Sequence, residues 1–84
     1  MKQLSIISIF LLIGLSTRGQ SEDYSGQIRK ALLMDNARKA LALTDKATTA
    51  WPDSAVFYYY RSKAEQEMRH YPAAITSVRK ALAL

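Results

Sequence analysis

The sequence predicts an all-α fold of stacked helical hairpins, and three observations carry that expectation. Ala40 and Ala47 recur as Ala74 and Ala81, at an offset of 34 residues, and Tyr24 with Tyr58, Met34 with Met68 and Lys46 with Lys80 fall in the same register. Apolar side chains around these alanines recur at helical spacing. Proline and Asp-Asn punctuation separates the helical stretches. A period of this length belongs to a helix–turn–helix unit that cannot bury its own apolar face and so stacks on copies of itself.

The chain opens with Met1-Lys2-Gln3, followed by a 12-residue apolar run from Leu4 to Leu15 and then the small, polar Ser16-Thr17-Arg18-Gly19. Charged, apolar and small-residue regions in that order read as a secretory signal over residues 1–19. As a helix the run reaches roughly 18 Å, short of a bilayer core of about 30 Å. The competing reading is an uncleaved anchor or a buried helix. Cleavage after Gly19, with Thr17 at the −3 place, leaves Gln20 as the new terminus, and a cut after Ser16 is the alternative. The expected location is outside the cytoplasm: periplasmic or secreted if the source is bacterial. The membrane is met only through the signal segment.

Four helices are expected after the signal, over residues 22–34, 36–50, 53–68 and from 72 onward. The fourth is the clearest, since Ala74, Ile75, Val78, Ala81 and Leu82 form one stripe of period 3.6 with Arg79 and Lys80 off it. Ala40, Leu41, Thr44 and Ala47 draw the same stripe in the second helix, with Thr44 its weakest member. Pro52 disfavours helical geometry at Trp51 and ends the second helix. Asp53 and Ser54 are expected to cap the third, Pro72 suits the first turn of the fourth, and Asp35-Asn36 suits a tight turn because both types tolerate left-handed geometry. Connections this short set neighbouring helices antiparallel. A second register competes: Arg38 to Leu43 recurs word for word as Arg79 to Leu84, an offset of 41. That offset leaves Pro52 and Tyr71 at unrelated places, so 34 is preferred.

Composition bounds the function. With no cysteine, the chain has neither a disulfide staple nor a lipid-anchor site at the processing position. The formal net charge is +5. Loss of Lys2 and Arg18 with the signal leaves ten basic against seven acidic side chains, a net +3 and weak support for nucleic-acid binding. His70 is the sole histidine, and no His/Asp/Glu set has metal-ligand spacing. No glycine-rich phosphate loop occurs, since Gly14, Gly19 and Gly26 are scattered. The chain is therefore read as a non-enzyme without metal or cofactor. Glu65 with Arg69 and Asp35 with Lys39 read as i,i+4 surface ion pairs. Phe57 and Tyr58 are expected in the core, Trp51 over a joint and Tyr71 between helices.

With Tyr58, Ser62, Tyr71, Ala74 and Ala81 in one stretch and Tyr24, Ala40, Ala47 and Pro52 in the other, the chain resembles the tetratricopeptide repeat family. The match covers residues 21–54 as a degenerate first unit and 55–84 as a second unit of 30 residues. Ile28 at a place usually small, Thr44 and Glu65 at places usually aromatic, and Arg69 where glycine often ends the first helix are departures. The resemblance implies a short right-handed α-solenoid in which Tyr24, Ala40, Ala47, Pro52, Tyr58, Ser62, Tyr71, Ala74, Val78 and Ala81 carry repeat packing. It also implies a concave groove lined by the first helix of each unit. Those places are Glu22, Ser25, Arg29, Leu32 and Leu33, then Val56, Tyr59, Lys63, Gln66 and Glu67.

Arg29, Leu33, Tyr59, Lys63 and Gln66 are the candidate partner-binding set, with Tyr59 offering an aromatic face between two cations for an extended peptide or a chain-terminal carboxylate. The asparagine set of the family's carboxylate-clamp members is missing. Two units fall below the three usually needed for a stable solenoid, and an exposed Ile75/Val78/Leu82 edge predicts self-association. The function expected is an exported protein–protein interaction module. The alternatives are the N-terminal piece of a larger exported or membrane-tethered repeat protein whose later domains hold the activity, and a membrane-active product led by the apolar start.

Overall fold

The computed structural model describes residues 20–84, so the expected signal over residues 1–19 lies outside the described residues. The described chain is all-α. Helix α1 runs through residues 20–33, α2 spans Ala37–Ala50, α3 Ala55–Glu67 and α4 Tyr71–Ala83. Each agrees with its sequence-based bounds to within one or two residues.

The turns explain the boundaries. At the end of α1, Asp35 takes a left-handed φ of 54°. The Asn36 N–H then donates back to the Ala31 carbonyl at 2.8 Å and the Asp35 N–H to Leu32 at 3.3 Å. This pair of bonds satisfies carbonyls that the helix end would otherwise orphan. At the end of α3 the same figure returns: Arg69 has φ 62°, His70 N–H donates to Glu65 at 2.8 Å and Arg69 N–H to Gln66 at 3.0 Å. Asp35 and Arg69 are 34 residues apart, as are the ends of α1 and α3 and the starts of α2 and α4. The competing 41-residue offset has no such counterpart, since its two copies lie near the start of α2 and at the end of α4.

Asn36 serves as the N-cap of α2 rather than its first residue, its Oδ1 accepting from the Lys39 N–H at 3.3 Å. Pro52 stands in the turn after α2, where the Trp51 N–H still reaches the Ala47 carbonyl at 2.8 Å. The expected side-chain cap of α3 is absent: Ser54 occupies the N-cap position, but its hydroxyl makes no capping bond. Pro72 falls in the first turn of α4 as expected.

The fully buried apolar side chains are concentrated among the first three helices, while the backbone of α3 approaches α4 more extensively than it approaches α2. Ile28 of α1, Ala47 of α2 and Phe57 of α3 form a fully buried cluster, walled by Tyr24, Leu43, Trp51 and Tyr60. The Trp51 ring meets Tyr24 edge-on at 5.6 Å and Phe57 at 5.7 Å, which places it over the joint as expected. Ala31, Ala40 and Ala64 form a second cluster from the same three helices. Alanines at these crossings let the backbones approach closely, and the larger Ile28 and Phe57 fill the space between. Thr44 is also fully buried. Its hydroxyl is satisfied within its own helix, donating to the Leu41 carbonyl at 2.9 Å.

Helix α4 packs on α3 and makes no close backbone approach to α2. Its one buried residue is Ser77, while Ala74, Val78 and Ala81 are half-buried. Two aromatic expectations need correction. Tyr71 is 54% exposed rather than packed between helices, standing at the open edge of a depression that it shares with Ser62 and Gln66 of α3. Tyr58 is half-buried rather than core, with the Lys80 ammonium 5.9 Å from its ring centroid.

Candidate binding groove

Helices α1 and α3 bound an open cavity of about 390 Å³. Its α1 wall is Arg29, Leu32 and Leu33; its α3 wall is Tyr59, Tyr60, Lys63 and Glu67. On each helix these residues recur at three- or four-residue spacing, which puts them on one face. Leu33 is 85% exposed, which leaves its side chain open to the cavity. Lys63 folds its ammonium to 5.6 Å from the Tyr59 ring centroid, and the Tyr59 and Tyr60 rings lie 5.9 Å apart. The floor is therefore apolar and aromatic, the rim holds two cations, and Glu67 supplies one carboxylate.

Four of the five residues in the candidate partner-binding set, Arg29, Leu33, Tyr59 and Lys63, line this one cavity. Gln66 does not. It faces a second depression of about 350 Å³ between α3 and α4, walled on the α4 side by Tyr71, Ala74, Ile75 and Val78. Tyr59 and Lys63 belong to both cavities and form the ridge between them. Val56 is exposed but lines neither, and Glu22 and Ser25 likewise lie outside both.

Sequence reasoning missed a polar network on the opposite side of α3. Glu65 was expected to pair with Arg69 at the surface, yet it is buried. Its Oε1 accepts a 2.5 Å hydrogen bond from the Ser77 hydroxyl of α4, and its Oε2 lies 3.8 Å from the Arg61 Nε. Arg61 in turn places Nη2 3.3 Å from Asp45 of α2. Arg69 is excluded because its left-handed backbone takes it off the helical row that Glu65 occupies. The expected Asp35–Lys39 pair is also absent, the ion pairs among the described residues being those of Arg61. One signal was present in the sequence: a carboxylate at a place where the resemblance calls for an aromatic marks a side chain needing a buried polar partner.

Among the described residues no helix is long and apolar enough to cross a membrane, and no three His, Cys, Asp or Glu side chains come together. Comparison with protein-family models, with curated proteins and with solved structures returned no match.

Proposed function

We propose that this chain is an exported interaction module of the tetratricopeptide repeat type, which binds an extended peptide segment of a protein partner in the groove between α1 and α3. One observation carries the reading: Arg29 and Leu33, 30 and more residues before Lys63 in sequence, share a single open cavity with Tyr59 and Lys63. The 34-residue spacing of the two left-handed helix ends at Asp35 and Arg69 supports the repeat assignment independently of any side chain. The exposed Leu33, beside the half-buried Leu32, gives a peptide apolar area to bury, the Tyr59 face stacks against its backbone or side chains, and the two cations favour an acidic residue. Glu67 biases the far wall against a second acid. Recognition here uses no catalytic group, cofactor or nucleic acid.

The test uses the whole chain, expressed with a C-terminal tag and recovered from the exported fraction, where a mass corresponding to a new terminus at Gln20, or at Thr17 for the alternative cut, is the expected result. Display of random peptides against it is expected to select segments pairing an acidic residue with apolar neighbours. The double variant Tyr59→Ala/Lys63→Ala, with unchanged helical circular dichroism, is expected to bind them at least about tenfold more weakly. Equal binding by the variant contradicts the groove assignment, and retention of Met1 contradicts export by cleavage.

A further inference from the structure

Helix α4 carries two apolar faces, and only one of them is used. Ala74, Ser77 and Ala81 turn toward α3 and are buried or half-buried. Tyr71, Ile75, Val78 and Leu82 form a second row, spaced four, three and four residues apart. That spacing is the 3.5-residue repeat of a helix-pairing seam. Three of the four are open to solvent, with Ile75 at 51% and Leu82 at 83% exposure.

We infer that this row pairs antiparallel with the same row of a second copy of the chain across a two-fold axis. The inference stands apart from the peptide-groove reading, since its seam lies wholly on α4 and none of the four row residues lines the α1–α3 cavity. Its basis is self-complementarity. A four-three-four row reads the same in either direction, so a two-fold sets Ile75 opposite Val78 of the second copy and Tyr71 opposite Leu82 of the second copy. Each contact thus matches a larger side chain with one of different shape, and each occurs twice. Charge agrees. Helix α4 has no acidic residue, so a foreign helix would need acids of its own to complement Arg79 and Lys80. In the symmetric pair Arg79 falls opposite the uncharged Pro72 of the second copy, and no like charges are opposed. Shape agrees too: the depression of about 350 Å³ beside the row, walled by Tyr71, Ile75 and Val78 with Gln66 of α3 at the same end, is placed to receive Leu82 of the second copy. The row offers only a few hundred Å² of apolar area, against about 800 Å² per partner in a standard stable interface. The pair is therefore a weak, reversible dimer.

Two measurements on the whole chain test this. Sedimentation equilibrium is expected to show a reversible monomer–dimer equilibrium, with Leu82→Glu raising the dissociation constant at least about a hundredfold, because the lost leucine is buried twice per dimer. Since the chain has no cysteine, Ile75→Cys and Val78→Cys proteins can be mixed under mild oxidation. The mixed 75–78 disulfide is expected to exceed either symmetric product about tenfold, as only that pair lies within bridging distance. A protein that stays monomeric at about 1 mM overturns the proposal. A dimer that survives Leu82→Glu, or that gives statistical disulfide products, overturns it and moves the contact elsewhere on the chain. If Leu82→Glu lowers the helical signal, the cysteine mixture alone decides.

Discussion

Toward α1 and α2, helix α3 presents Phe57 and Ala64, both fully buried against Ile28, Ala47, Ala31 and Ala40. Toward α4 it presents Glu65, whose contact there is a hydrogen bond from Ser77. The two sides of one helix thus use different physics. Apolar burial scales with area and needs no angular precision, and alanine crossings allow much of it in a small volume. A buried carboxylate instead carries a desolvation cost that its hydrogen bonds only offset. The difference predicts a more cohesive end toward α1 and α2 and a less cohesive one at α4, even though α3 lies against α4 over a greater extent than against α2. Phe57 faces the first of these sides, packed with Ile28, Ala47 and Trp51, while the outer row of α4 is open to solvent at Tyr71, Ile75 and Leu82.

The sharpest way to break that comparison is Phe57→Ala. Removal of a fully buried ring costs about 3–5 kcal/mol, against a total of about 3–10 kcal/mol for a domain of this size. The expected result is loss of most helical circular dichroism at 25 °C, or a urea midpoint near zero. A variant that still melts cooperatively within a few degrees of the parent contradicts the assignment of Phe57 to the cohesive end.

A gentler change sharpens the contrast. Ser77→Ala leaves the Glu65 carboxylate buried without its hydroxyl donor, at a cost of about 1–3 kcal/mol. That loss should fall on the attachment of α4, so far-UV circular dichroism drops by a fraction corresponding to one helix while the Trp51 fluorescence environment persists. Simultaneous loss of both signals would mean that the latch supports the whole fold and not its open end.

Local physics made much of this legible in the sequence. The alanine period, Pro52, Pro72 and the Asp35-Asn36 turn act through backbone sterics over a few residues, so they located the four helices closely. Arg29, Leu33, Tyr59 and Lys63 were also reachable, because the 34-residue register sets Arg29 and Lys63 at equivalent places on α1 and α3, and one cavity holds all four. Side-chain partner choice was not legible. Glu65 and Arg69 have ideal helical spacing, yet Arg69 lies one residue beyond the helix in left-handed geometry, and Ser77 approaches from a different element. Tyr71 was misplaced for a related reason: it borders α3 only across an open depression, and among the described residues no further helix lies over it. Ser54 has the right type for a cap, but side-chain rotation, which pattern cannot fix, leaves its hydroxyl unused.

The central claim is that cohesion is unequal on the two sides of α3, and residue-resolved amide hydrogen exchange of the full chain at concentrations below its self-association tests it most directly. The predicted result is protection in α2 and α3 approaching that of global unfolding, with the amides of residues 74–83 exchanging through a separate opening of lower free energy. Uniform protection across α2, α3 and α4, lost in one cooperative step, would contradict the account.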